Sequence, residues 1–123
     1  MDVTHKELIM NFEDGDEVVA GVMQALQEHK VKLAIFSSIS GRIKDFEVTF
    51  LQAGILQKKH FADEYKCLNV SGDVKLLSGK GYVPNIILAL SNLDGSKALG
   101  GQLHSGHACA DLMIKATIRE YRQ

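Results

Sequence analysis

Imidazole, amide and hydroxyl side chains are concentrated in one short segment near the end of the chain, residues 100–107. Histidine is a common zinc ligand, and a zinc site needs three or four ligands that converge on one point. Residues two apart on a strand share a face, so Gln102 and His104 are predicted to lie side by side. Residues three apart face opposite sides, so His104 and His107 could share a metal only if Gly106 bends the chain. Because the spacing supplies no third ligand, the residues alone predict no bound metal.

Nucleophilic catalysis has little support in the sequence. None of the serines lies in a G-x-S-x-G turn, and no spacing pairs Ser105 with a base. Cys67 and Cys109 lie in apolar segments without C-x-x-C spacing, which is typical of reduced, buried thiols. We therefore predict no catalytic residue and no cofactor. The candidate ligand-binding residues are Gln102, His104, Ser105 and His107.

The composition is that of an ordinary globular domain. With 123 residues, of which 46% are hydrophobic and 24% charged, the chain is predicted to form one domain over residues 1–123. The formal net charge of −1, from 14 basic and 15 acidic residues, argues against nonspecific binding of nucleic acid, which usually requires a basic face. No apolar stretch approaches the roughly 18 residues of a membrane span, and the first residues do not resemble a signal peptide. We predict a cytoplasmic protein without membrane contact.

One helix and several strands are predicted to position the polar segment. Apolar residues recur with a helical period over residues 18–30, which predicts an amphipathic helix. Acidic residues precede it, and Asp14 or Asp16 is predicted as its N-cap. Residues 33–36 are predicted as a buried strand that ends in a serine-rich turn, and residues 5–10 as a short strand.

The rest of the chain is predicted to be mostly β-structure. Residues 43–50 alternate apolar and polar side chains, which predicts a strand bulged near Asp45 and paired in a hairpin with the preceding strand. Residues 57–64 are polar and are predicted as a solvated loop. The other predicted elements are two strands separated by a break at 71–73, a central strand at 86–90 buried on both faces, and a last strand at 112–118. For this last element, residues 108–121 are also compatible with the spacing of a second helix.

Four motifs, in order along nearly the whole chain, resemble the plants and prokaryotes conserved (PPC) domain family. Residues 12–19, FEDGDEVV, are similar to the family's L-x-x-G-E-D-V entry to its helix, and residues 35–40, IFSSIS, to its F-S-G-I-G strand end. Residues 68–74, LNVSGDV, are similar to L-S-L-S-G-N-I. Asp94-Gly95 followed by residues 100–103, GGQL, is similar to D-G-x-x-x-G-G-H-L. The resemblance implies an α+β fold with a curved, mostly antiparallel, barrel-like sheet flanked by helices and assembled as a homotrimer.

The same resemblance implies a metal site whose ligands this chain lacks. Many prokaryotic members carry P-x-x-H-x-H, whose two histidines form a three-histidine site with that of G-G-H-L. When the chain is aligned on Pro84 and on the paired glycines, these positions hold Ile87, Ala89 and Gln102. Aliphatic side chains cannot bind zinc and an amide binds it poorly. The site is therefore predicted to be lost, unless the two nearby histidines build a displaced one.

The family's plant members carry AT-hooks and act on chromatin, and its microbial members are often named as candidate DNA-binding proteins. An AT-hook needs an Arg-Gly-Arg core that enters the minor groove, and this chain has only Gly41-Arg42, so direct DNA binding is not expected. The resemblance thus implies a non-catalytic homotrimer, either an interaction module or a regulator that acts through protein partners. The alternative is an enzyme that binds a metal or a small molecule in a trimer cleft near Gln102, His104 and His107.

Overall fold

A computed structural model describes residues 2–122, with side chains described over residues 6–118. Over that range the chain forms one eight-stranded antiparallel sheet and one α-helix. No helix in the described range is long and apolar enough to cross a membrane. The bounds are β1 Asp2–Asn11, α1 Val18–Glu28, β2 Leu33–Ser40, β3 Arg42–Gln52, β4 Ile55–Phe61, β5 Tyr65–Leu77, β6 Gly81–Asn92, β7 Ala98–Ala108 and β8 Met113–Arg122.

The strand order is β1-β8-β2-β5-β6-β7-β3-β4, and β3 makes a further, short pairing with β5. That pairing joins Arg42 to Lys66 and Ile43 to Tyr65. The mostly antiparallel sheet agrees with the predicted class, whereas the resemblance implied several helices and residues 2–122 contain one. The polar segment at 100–107 belongs to β7, which lies between β6 and β3, so those two strands supply its neighbours.

The core lies between one face of the sheet and α1. Val18, Val22 and Leu26 lie on one side of α1 and are at most 1% exposed, which confirms the predicted amphipathic helix. They belong to the same buried cluster as Val48 of β3 and Leu88 of β6. The helix ends at Glu28, two residues before the predicted end.

The polar segment predicted as a loop at 57–64 is mostly a strand, so that prediction was wrong. β4 pairs with β3 along its whole length, across a turn in which Ala53 and Gly54 have φ angles of +53° and +78°. Every residue of β4 before Phe61 is exposed. Backbone pairing, not burial of side chains, therefore forms this strand, and such a strand lacks the apolar alternation by which sequence predicts strands.

The strand β2 runs further than predicted. β2 continues through the serine-rich segment to Ser40 with a bulge between Phe36 and Ser38, and it pairs with β5 and β8. The predicted hairpin with β3 is absent, because β2 and β3 are not neighbours in the sheet. The bulge predicted near Asp45 is confirmed by a φ of +47° and a shifted register beside it.

The apolar run at 86–90 lies in β6, between β5 and β7, so its central position in the sheet is confirmed. Burial on both faces was wrong. Ile86, Leu88 and Leu90 are at most 1% exposed, but Ile87 is 41% exposed. The side chains of β6 that face the core are therefore buried, whereas Ile87 on the outer face contacts solvent. The last strand, β8, is confirmed.

The predicted break at 71–73 is replaced by a continuous strand, and Gly72 makes this possible. Gly72 pairs with Ile86 and has φ +99°, and a Cβ atom added there would lie 1.9 Å from the Asn85 carbonyl oxygen. β5 can therefore pass close to β6 only with glycine at this position.

Substitution of Gly72→Ala is expected to lower the free energy of unfolding by at least about 3 kcal/mol, because it combines a left-handed backbone with a backbone clash. Gly54→Ala is the matched control, because Gly54 also has a positive φ, +78°, but an added Cβ meets nothing within 4 Å. The Gly54 substitution is expected to lower the free energy of unfolding by about 1 kcal/mol. Urea denaturation measures both, and equal losses would contradict the close approach.

Candidate functional site

The three positions that the resemblance assigns to metal ligands lie together on the outer face of the sheet. Ile87 of β6 and Gln102 of β7 are direct partners across the two strands. Ala89 lies two residues beyond Ile87, so it shares that face. Tertiary structure thus brings these positions side by side, but two of the three side chains have no donor atom and the third is an amide.

His104 binds a side chain of the neighbouring strand β3. Its Nε2 atom lies 2.5 Å from Thr49 Oγ1. Thr49 is also the register partner of Gln102 on one side and of Lys58 on the other. His104 and Gln102 are therefore both neighbours of Thr49, His104 through its imidazole and Gln102 through strand register, which agrees with the predicted shared face.

His107 belongs to a different cluster, centred on Asp45. Its Nδ1 atom lies 3.0 Å from the Asp45 carbonyl oxygen and 3.5 Å from Asp45 Oδ2. Because a carbonyl oxygen only accepts, Nδ1 carries the hydrogen and donates it. The other carboxylate oxygen, Oδ1, lies 2.5 Å from His60 Nε2 on β4. One carboxylate therefore contacts two imidazoles from two strands.

The two histidines of the segment do not converge. The register between β3 and β7 shifts twice, between Lys44 and Glu47 and again between Glu47 and Val48, and these bulges lie between the partners of His104 and those of His107. Among the described residues, no group of three His, Cys, Asp or Glu side chains is arranged to hold a metal ion. The displaced metal site considered from the sequence has no geometric support in this part of the chain.

Ser105 faces Glu47 across β3 and β7. Glu47 also forms an ion pair with Lys58 of β4, at 3.2 Å between Lys58 Nζ and Glu47 Oε1. No base contacts the Ser105 hydroxyl among the described residues. The serine therefore lies beside an ion pair and lacks the partner that a nucleophile requires.

Glu17 holds α1 against β7 and is the N-cap of the helix. Its carboxylate accepts hydrogen bonds from the backbone N–H groups of Ala20 at 2.9 Å, Val19 at 3.3 Å and Gly106 at 2.9 Å. An isolated β-bridge also joins Glu17 to His107. The bond from Gly106 and the bridge to His107 connect the start of the helix to the candidate segment.

The predicted caps, Asp14 and Asp16, were therefore wrong. Asp16 accepts a hydrogen bond from the Glu13 backbone at 2.9 Å, within the turn that precedes the helix. Asp14 accepts a hydrogen bond from Lys44 Nζ at 2.8 Å, and this bond raises the pKa of Lys44. The bridge to His107 keeps Glu17 extended, with ψ 122°, so the helix begins at Val18, one residue later than an Asp16 cap would start it and three later than an Asp14 cap would.

Sequence reasoning missed Asp45, Thr49 and His60 as neighbours of the two histidines. The sequence predicts a bulge at Asp45 but not the groups that the bulge brings together. His60 falls in the segment predicted as a loop. Only recognition of the β3–β4 hairpin could have found it, because that register places His60 opposite Glu47 and thus near Asp45.

A match over almost the whole chain decides the family. The family model described as the Plants and Prokaryotes Conserved (PCC) domain matches residues 3–122. The chain belongs to this family. The resemblance seen in the four sequence motifs, to the domain also abbreviated PPC, is thereby confirmed, although no curated protein matches the chain.

Solved structures of PPC proteins and related chains share this fold. A plant- and prokaryote-conserved protein of Pyrococcus horikoshii is 14% identical with a TM-score of 0.79, over 99% of this chain and 84% of that one. A metal-containing protein of Archaeoglobus fulgidus is 18% identical with a TM-score of 0.74, over 92% and 78%. A candidate DNA-binding protein of Bacteroides thetaiotaomicron is 16% identical with a TM-score of 0.75, over 98% and 85%. At these identities the similarity establishes the PPC fold alone.

Substitution of Glu17→Ala is expected to lower the free energy of unfolding by about 2 kcal/mol or more, because it removes the helix cap and leaves the Gly106 N–H unpaired. Asp16→Ala is the matched control and should cost less than about 1 kcal/mol, because it removes one exposed turn bond. Denaturant unfolding measures stability, and hydrogen exchange at Gly106 reports the lost bond. A larger loss in the Asp16 variant would contradict the assignment of the cap.

Proposed function

We propose that this chain is a cytoplasmic, homotrimeric PPC-domain protein without catalytic activity, which serves as an interaction module or as a regulator acting through protein partners, and whose family metal site is lost. The observation that carries the proposal is an apolar strip on the outer face of the sheet. We call it the outer strip, and it consists of Leu51, Leu56, Ile87 and Ala89.

The strand registers place the outer strip on one face. Leu51 and Leu56 are direct partners across β3 and β4, and Leu51 is two residues from Thr49, which is the partner of Gln102. Gln102 in turn pairs with Ile87. Partners and alternate residues share a face of an antiparallel sheet, so the four side chains, which come from β3, β4 and β6, lie on one face, with Gln102 of β7 between Ile87 and Thr49.

The large apolar side chains of the outer strip are exposed to solvent, which is unfavourable for apolar groups. Leu51 is 68% exposed, Leu56 72% and Ile87 41%. Contiguous exposed apolar patches in globular proteins typically mark interaction surfaces. A second and third copy of this chain are the proposed occupants, in keeping with the trimer that family membership implies, and a closed ring would cover the strip in every copy.

The metal site that we propose to be lost would lie on the same face of the sheet. A three-ligand zinc site needs donor atoms, and the side chains of Ile87 and Ala89 supply none where the family pattern has histidines. His104, two residues from Gln102 on β7, is hydrogen-bonded to Thr49. The face to which the family pattern assigns the metal ligands is, in this proposal, used for apolar contact.

We also propose that the sheet closes in a barrel-like manner and that the chain does not bind DNA directly. The pairing of β3 with β5 through two residue pairs supports a barrel-like closure of the strands between them. Direct binding of DNA is not part of the proposed function, because basic and acidic residues are balanced, 14 against 15, and a phosphate-binding surface needs a basic excess.

Light scattering is expected to give the mass of three chains for the native protein, and the double substitution Leu51→Glu with Leu56→Glu to shift the assembly toward monomer by at least about tenfold in concentration. The reason is that each leucine contributes about 1.5 to 3 kcal/mol when it is buried at an interface. Ile9→Glu is the control, because Ile9 is 49% exposed on β1, at the opposite edge of the sheet. A monomeric native protein, or a double variant that stays trimeric, would contradict the proposal.

Elemental analysis of the native protein is expected to find zinc well below one equivalent per chain. The combined substitutions Ile87→His, Ala89→His and Gln102→His are expected to bring zinc to about one equivalent, because three imidazoles would then share one face. One equivalent in the native protein would overturn the loss of the site. No gain in the triple variant would show that these are not the inherited ligand positions.

A further inference from the structure

A second surface feature lies where β3 begins and pairs with β5. A cavity of about 310 Å³ opens there, within the range of small-molecule pockets. We call it the Arg42 pocket. It is lined by Ser40, Gly41, Arg42, Lys66, Cys67 and Leu68, none of which belongs to the outer strip or to the candidate segment in β7.

Two cations face each other in the Arg42 pocket. The register pairs Arg42 directly with Lys66, and like charges directly opposite one another destabilise a strand pair. The other register partner of Lys66 is the neutral Ser91. Glu64 Oε2 lies 3.0 Å from Arg42 Nη1, but no carboxylate contacts the Lys66 ammonium among the described side chains. The pocket therefore keeps one positive charge uncompensated.

Leu68 and Cys67 form an apolar part of the pocket wall. The ladder between β5 and β6 shifts register between Cys67 and Asn69, so Leu68 falls in the bulge, and it is 58% exposed. Cys67 is buried, and burial raises the pKa of its thiol to about 12. Near neutral pH the thiol is therefore uncharged, so it neither repels an anion nor acts as a nucleophile.

We propose that the Arg42 pocket binds a small organic monocarboxylate, with its carboxylate between Arg42 and Lys66 and its apolar body against Leu68 and Cys67. A guanidinium group matches a carboxylate through two parallel hydrogen bonds, and Arg42 already binds one carboxylate, that of Glu64. The ammonium of Lys66 and the hydroxyl of Ser40 supply further donors. The inference does not depend on trimer assembly or on the state of the metal site.

Benzoate is the probe, titrated at low ionic strength and followed by the backbone amide signals of residues 40–42 and 66–68 in two-dimensional NMR spectra. We expect saturable shifts confined to these residues. Benzamide, which has the same ring without the charge, and inorganic phosphate, which has charge without an apolar body, are both expected to bind at least about tenfold more weakly. Equal binding of benzamide would contradict a role for the positive charges in binding. Equal binding of phosphate would contradict the assignment of the ligand as an organic carboxylate.

The substitution Lys66→Gln is expected to weaken benzoate binding by at least about tenfold. It should leave the unliganded protein at least as stable, because it removes a like charge opposite Arg42. Lys75→Gln is the matched control, since Lys75 lies on the same strand outside the pocket, 3.8 Å from Asp73, and should leave affinity unchanged. A destabilised Lys66 variant, equal effects of both substitutions, or no saturable binding of benzoate, isovalerate or butyrate would overturn the proposal. Light scattering on the same samples reports the trimer separately.

Discussion

The contact on which the rest of the structure depends is that of the Glu17 carboxylate with three backbone N–H groups. Two of them belong to the first turn of α1 and the third to Gly106 of β7. α1 is the one helix in residues 2–122, and its buried side covers the inner face of the sheet. A single carboxylate thus starts the helix and sets its position against the strand that carries the candidate segment. Backbone donors at a helix start have no partner within the helix, so this side chain satisfies groups that would otherwise lie unpaired.

Bulges decide which side chains can meet. The bulge at Asp45 lets one carboxylate contact both His60 and His107, and the register shifts beside it separate His107 from His104. The bulge on β5 turns Leu68 out of the ladder and into the Arg42 pocket. Each extra residue reverses the alternation of faces that follows it. The same sequence with a regular ladder would present a different set of neighbours at both places.

Two surfaces of different chemistry follow from this arrangement. The outer strip is apolar and its side chains come from three strands, which suits a large partner surface such as another copy of the chain. The Arg42 pocket is small, carries a net positive charge and has an apolar wall, which suits a compact anion. Because they share no residue, assembly and ligand binding can be tested in separate variants, and neither proposal requires the metal chemistry of the family pattern. Zinc binding would need donor atoms that Ile87 and Ala89 do not have.

The sequence by itself determined the local structure and the family. The helical period of residues 18–30, the alternation along β8 and the bulge at Asp45 depend on steric and solvation preferences of neighbouring residues, which a sequence displays directly. The four motifs, taken in order, indicated the family because they resemble its sequence patterns. Only the tertiary structure decided that 57–64 is largely a strand, that Glu17 rather than an aspartate caps α1, and which groups surround His104 and His107. Those outcomes depend on backbone pairing between segments far apart in the chain, and hydrogen bonds between backbone groups leave little trace in side-chain patterns.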